Sequence, residues 1–214
     1  MGKINTYAIN LARRTDRKAS LISEFKGRNE FQLTVVPAIA HKVGAIGLWQ
    51  TICQIIQKVC NDDIDNILIC EDDHVFTEAY TSNRLIRAIN QSRKYDADIL
   101  LGGVSWFDQV LQVDKNLFWV DRFTGTQFML IYRKFYEKIL EADLGKGGAD
   151  RKISSLTDGI FVMYPYISVQ KEFGYSDVTK KNEKKGWVTE LFDNGSEKLA
   201  QLDSVRKFYG FNTK

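Results

Sequence analysis

The chain has 214 residues, 44% of them hydrophobic, which is enough for one large core and short for two. Its 30 basic and 27 acidic residues leave a net charge of +3 spread along the sequence, which excludes the concentrated basic face of a nucleic-acid binder. The longest apolar runs, Ile67 to Cys70 and Phe128 to Tyr132, fall far below the roughly 20 residues that cross a bilayer, and Asn5 and Asn10 break the only apolar stretch near the start. A single domain over 1–214, placed in the cytosol, is therefore expected.

In chain order, a strand over Tyr7 to Leu11 leads into a basic turn and a helix over Asp16 to Phe25, with Thr15 as N-cap and Leu21, Ile22 and Phe25 turned inward. A strand at Phe31 to Val36 follows, then Gly44-Ala-Ile-Gly47 and a helix whose stripe is Leu48, Ile52, Ile55 and Val59. Strands are expected at Ile67 to Cys70, Asp98 to Leu101, Leu117 to Val120, Gln127 to Tyr132 and Ile160 to Met163. Helical stripes lie at Leu85 with Ile89 and at Phe135 with Ile139. This alternation predicts an α/β domain with a central, mixed and mostly parallel sheet covered by helices.

Gly145-Lys146-Gly147-Gly148 lacks the Gly-Lys-Ser/Thr ending of a phosphate loop and reads as a turn. Lys180, Lys181, Lys184 and Lys185 surround Asn182 and Glu183 without apolar periodicity, so 180–186 reads as a mobile loop, either plainly solvated or able to meet anionic lipid. Residues 187–214 form a C-terminal extension with at most one helix, around Ser196 to Phe208. Cys53 and Cys60 sit seven apart on one expected helix, too far to bridge, and with Cys70 they read as buried small hydrophobes.

The chemistry concentrates at Asn66-Ile-Leu-Ile-Cys-Glu71-Asp72-Asp73-His74, where an apolar strand runs into three consecutive carboxylates. Ligands of open α/β sheets bind beyond the carboxyl ends of strands, and hard oxygen donors suit Mg²⁺ or Mn²⁺ carrying phosphates. Read from spacing alone, the triplet fits a solvated turn equally well. His74 reads as a local hydrogen-bond partner or an added ligand, and His41 has no specific role. Trp106, Phe107, Phe118, Trp119 and Phe123 flank the middle strands as core residues or as platforms for an acceptor sugar.

Taken together, Ile9-Asn10-Leu11-Ala12-Arg13-Arg14-Thr15-Asp16-Arg17, Gly44-Ala-Ile-Gly47, the acidic triplet, Leu101-Gly102-Gly103, Thr124-Gly125-Thr126, Thr157-Asp158-Gly159 and Pro165 with Gln170 resemble glycosyltransferase family 25. This group contains bacterial lipopolysaccharide galactosyltransferases and collagen galactosyltransferases, and the likeness runs from about Ile9 to Gln170. The chain departs from the family at Thr51-Ile52, where a Ser-His pair is usual.

The resemblance implies a GT-A type fold and an inverting hexosyltransferase that moves a hexose, galactose or a relative, from a UDP-sugar to a hydroxyl of a surface-glycan acceptor of lipopolysaccharide type. It implies Mn²⁺ or Mg²⁺ at Asp73 and Glu71, with a donor site drawn from Asn10, Leu11, Arg14, Arg17, Asp72, Gly125 and Thr126. Neighbouring strand-end residues project alternately, so Asp73 is the first choice as ligand, while Asp72 or Glu71 reaches the donor's hydroxyls. Arg13, Arg14 and Arg17 either meet the diphosphate or form an exposed basic face. Asp158 is the expected base, although a simple cap would look the same. Two other readings are a degenerate member that binds without turnover and a nucleotidyltransferase, the latter lacking a Gly-rich, Lys/Arg-bearing loop after the first strand. Expected partners are the sugar nucleotide and the glycan, with peripheral contact at the inner face of the membrane; the sequence names no protein partner.

Overall fold

A computed structural model describes residues 2–145, 147–175, 182 and 184–210. The elements in order are β1 (Ile4–Asn10), α1 (Thr15–Phe25), β2 (Phe31–Pro37), α2 (Gly44–Val59), β3 (Asn66–Glu71), β4 (His74–Phe76), α3 (Ser82–Lys94), β5 (Ile99–Leu101), β6 (Trp106–Phe107), β7 (Val110–Asp114), β8 (Leu117–Val120), β9 (Phe123–Thr124) and β10 (Phe128–Tyr132). A short 3₁₀ turn then precedes α4 (Tyr136–Glu141), followed by α5 (Ala149–Leu156), β11 (Ile160–Met163), β12 (Ser168–Gln170) and α6 (Trp187–Phe208).

The central sheet has 8 strands in the order β2-β1-β3-β10-β5-β11-β8-β7. Its registers make β2, β1, β3, β5, β11 and β7 point one way and only β10 and β8 the other. The α/β class and the mixed, mostly parallel sheet expected from the sequence are thus what the chain forms. Pairs β4–β12 and β6–β9 add small ribbons at the edge where β1 and β3 end.

The pleat sorts the apolar run of β3 between two cores. Ile67 and Ile69 face α2 through Ile52, Ile55 and Ile56, whereas Leu68 and Cys70 pack with Leu21 and Phe25 of α1 and Leu85 and Ile89 of α3. A strand buried on both faces has to be a continuous apolar run, which explains why β3, β5, β10 and β11 stand out in the sequence. All three cysteines are free. No helix of the described residues is long and apolar enough to cross a membrane.

Several expectations need correction. Thr15 is the first residue of α1 rather than its cap, and the N-cap position falls on Arg14, which makes no side-chain cap bond. The helix entry is braced by Asn10, whose Nδ2 donates to the Arg14 carbonyl at 3.1 Å. α6 begins at Trp187, well before Ser196, because the Glu172 carboxylate accepts the amides of Gly186, Val188 and Thr189 at 2.6, 2.8 and 3.1 Å. That cap comes from a residue far back in the chain. Within the 180–186 loop, residues 180, 181 and 183 lie outside the described residues, and so does its expected mobility.

Candidate active site

From β1 the chain crosses through α1 to β2 on one side, then through α2 to β3 on the other, and α1 and α2 lie on opposite faces of the sheet. Such a reversal of strand order leaves a crevice beyond the carboxyl ends of β1 and β3, the usual ligand position in open α/β sheets. Asn10, Leu11, Arg14 and Arg17 come from the first strand end and Glu71, Asp72 and Asp73 from the second. β10 runs the other way, so the Gly125-Thr126 segment before it arrives at the same edge.

The three carboxylates take different parts. Asp72 is buried and held by Asn10 Nδ2 at 2.9 Å, Arg17 at 3.2 Å and Arg14 at 3.4 Å. This clamp fixes the turn between β1 and α1 against the end of β3. The Arg17 guanidinium also donates to the Tyr175 carbonyl at 2.6 Å and lies 4.7 and 4.4 Å from the Phe173 and Tyr175 rings. It is a buried strut rather than part of an exposed basic face.

Glu71 accepts the Thr126 hydroxyl at 2.6 Å. Burial pushes its carboxyl well above the usual range, and the charges of Asp73, Asp72 and Asp150 push the same way against that hydrogen bond. Asp73 is raised as well, by burial first and Asp72 second, with Arg17 and Arg14 opposing. Its side chain remains 19% exposed and stands 3.5 Å from Arg17 through Oδ2, while Oδ1 is buried with no hydrogen-bond partner among the described residues.

Two adjoining cavities, of about 240 and 280 Å³, share Arg14, Leu48 and Glu71. The first has an apolar floor of Ile9, Leu11, Ala38 and Ile39 with Arg13 and His41 at its rim. The second contains Asp73, Gly125, Thr126, Gln170 and Asp150. Gly125 has φ +106°, and an added Cβ there would fall 2.9 Å from Gln127 Oε1, so this close turn requires glycine.

Asp150, in the first turn of α5, faces Glu71 and Asp73 across the second cavity, and the Gly125 amide donates to its carboxylate. Burial raises its pKa. Sequence reasoning missed it because Gly147-Gly148 reads as a turn and the helix that follows is short; an acid directly after such a turn, in a helical first turn, was the one available signal.

Asp158 is not part of this group. It precedes β11, whose first residue, Ile160, aligns through Ile99 and Ile131 with Ile67, the start of β3 and not its end. Asp158 is therefore exposed at the opposite edge of the sheet, where its carbonyl accepts Trp119 Nε1.

His74 also turns away from the crevice. It is buried among the Phe25, Phe76 and Phe128 rings with Nδ1 2.8 Å from Ser168 Oγ, and burial followed by Arg28 lowers its pKa to about 3. Phe107, Phe118 and Phe123 are core, whereas Trp106 is exposed. At the departure from the family pattern, Ile52 is fully buried and Thr51 Oγ1 donates to the Gly47 carbonyl at 2.7 Å while accepting the Ile39 amide at 2.9 Å. Thr51 thereby supports Ile39 in the wall of the first cavity.

Among the described residues no group of three or more His, Cys, Asp and Glu side chains is placed to hold a metal ion. A cation shared with substrate phosphates needs only one or two carboxylates. Asp73, with its unpartnered Oδ1, and Glu71 fit that smaller donor set; Asp72, clamped by its own partners, does not.

No protein-family model and no curated protein matches the sequence. Among solved structures, the chain is similar to a UDP-glucose pyrophosphorylase complexed with UDP-glucose, at 10% identity over 94% of this chain and 99% of that one, with TM-score 0.46. A UDP-glucose pyrophosphorylase from Acinetobacter baumannii aligns at 12% identity over 88% and 71%, with TM-score 0.47. A glycosyltransferase involved in glycosylation of the major capsid of PBCV-1 aligns at 8% identity over 72% and 74%, with TM-score 0.44. At these values the likenesses assign neither family nor substrate to this chain.

Proposed function

We propose that the protein is a glycosyltransferase that takes a hexose from a nucleotide sugar, with the nucleotide in the cavity above β1 and the sugar in the cavity between Asp73 and Asp150. The observation that carries this reading is the continuous crevice at the strand-order reversal, lined by Asp73, whose buried Oδ1 has no partner among the described residues. The apolar floor of Ile9, Leu11, Ala38 and Ile39 suits a nucleobase, and Arg13 and Arg14 border the path of the diphosphate.

Asp73 and Glu71 would hold Mn²⁺ or Mg²⁺ together with the donor's phosphates. Bound there, the ion supplies Lewis-acid stabilisation of the departing nucleoside diphosphate. Thr126 orients Glu71, and the clamp on Asp72 sets the angle at which the strand end presents Asp73. Asp150 takes the role first expected of Asp158. Its carboxylate receives the proton of the attacking hydroxyl as the new bond to the anomeric carbon forms and the bond to the phosphate oxygen breaks, giving inversion. Partial burial makes it a stronger base than an exposed carboxylate. UDP-galactose or a related UDP-hexose as donor, a lipopolysaccharide-type glycan as acceptor and peripheral contact with the membrane follow from the resemblance to family 25.

Calorimetric titration of UDP and UDP-galactose, with Mn²⁺ and with chelator, tests the reading alongside donor-turnover assays. Wild type should bind in a metal-dependent manner, and Asp73→Ala should weaken binding at least about tenfold while circular dichroism stays unchanged. Asp150→Asn should keep that affinity and lower turnover by roughly 10²- to 10⁴-fold. Equal affinity with and without metal would sink the donor site, and binding without any turnover would mark a pure binder. Pyrophosphate released from a nucleoside triphosphate and a sugar phosphate would assign nucleotidyl transfer instead.

A further inference from the structure

A separate cavity of about 280 Å³ opens behind the wall of the sugar cavity, lined by Trp106, Arg122, Phe123, Arg151, Ser154 and Ser155. Trp106 is 44% exposed, on the short ribbon in which it pairs with Thr124. An exposed indole beside cationic and hydroxyl groups is a costly surface for water and a good one for the apolar face of a sugar ring.

The two cavities share their backbone. Ser105, Thr124 and Asp150 line the sugar cavity, and the next residues along, Trp106, Phe123 and Arg151, line this one. Ser105 and Thr124 are joined by an amide-to-carbonyl bond of 2.9 Å and a hydroxyl contact of 2.9 Å, so the wall between them is fixed. Successive residues of an extended strand project to opposite faces, so Ser105 and Trp106 open to opposite sides of this wall.

The cations differ. Arg122 pairs with Asp108 and Asp121 and is neutralised by them. The exposed Arg151 guanidinium makes no ion pair among the described residues, and its charge reaches Asp150 only across the wall. We propose that this cavity is an accessory saccharide subsite beside the transfer centre, in which Trp106 stacks on a saccharide and Arg151 selects one bearing an acidic group, a carboxylate or a phosphate. The assignment rests on the glycosyltransferase reading above.

The test titrates two defined probes, tetragalacturonic acid and neutral maltotetraose, into wild type, Trp106→Ala and Arg151→Ala, with UDP plus Mn²⁺ measured on the same samples. The acidic probe should bind wild type about tenfold more tightly than the neutral one, a preference weakened by added salt. Arg151→Ala should erase the preference and retain weak binding of both, while Trp106→Ala should abolish both; UDP affinity should be the same in all three proteins. Absence of binding of either probe to wild type, or unchanged binding in both variants, overturns the subsite. Saccharide binding in a chain that fails to bind UDP would leave the subsite standing and remove the donor reading beneath it.

Discussion

Thr51 shows how much one hydroxyl contributes to this cleft. It ties the Ile39 amide to the Gly47 carbonyl, joining the segment after β2 to the first turn of α2, and it is fully buried. Thr51→Val keeps the shape and leaves the Ile39 amide unpaired, so urea denaturation should show a loss of about 1–3 kcal/mol. Thr51→Ser should restore most of it, and nucleotide affinity should follow stability because Ile39 lines the first cavity. The acidic triplet was legible in the sequence because three adjacent acids after an apolar run stand out. Their division of labour was not, since it depends on which of them meets Asn10, Arg14 and Arg17 in space. Asp158 falls outside the crevice for a related reason: an acid before a strand looks the same in sequence at either edge of the sheet, and only the direction of β11 separates the two.

At the scale of elements, the exit of β5 is the tightest junction beneath the site. A Cβ on Gly103 would fall 2.2 Å from the Ser168 carbonyl oxygen and 3.0 Å from the Tyr166 ring, so β12 passes directly over bare backbone. Gly103→Ala should cost about 1–3 kcal/mol or more through forced separation, read as a lower melting temperature. Because Gln127 Nε2 bonds the Gly103 carbonyl at 2.9 Å, the shift should also reach the Gly125-Thr126 turn and weaken nucleotide binding. The buried strands were legible, as apolar runs must be where both faces are covered. β7 was missed because its burial is only partial, α5 because it is short, and the first half of α6 because its cap is supplied from Glu172.

At the scale of the whole molecule, α6 is moored to the far edge of the sheet by Asp203, which accepts Gln112 Nε2 at 2.9 Å and pairs with Arg206 and Lys207 at 2.9 and 2.7 Å. Burial alone would raise its pKa, but the hydrogen bonds from Lys207, Gln112 and Arg206 outweigh that and hold it at about 2. A folded value below the unfolded one gives stability that is complete above the unfolded value of 3.8 and is lost as pH falls toward 2. Asp203→Asn should accordingly unfold at lower urea than wild type at pH 7, and the gap should narrow once pH drops below 4. A constant gap across that range would remove Asp203 as its source. The order of the sheet has a consequence for how the protein is made. β10 lies between β3 and β5, although it is synthesised after both. Until Tyr132 has left the ribosome, β3 and β5 each lack their shared partner and expose an open, apolar edge. A nascent chain stalled before that point presents the surface that chaperones bind and that aggregation exploits.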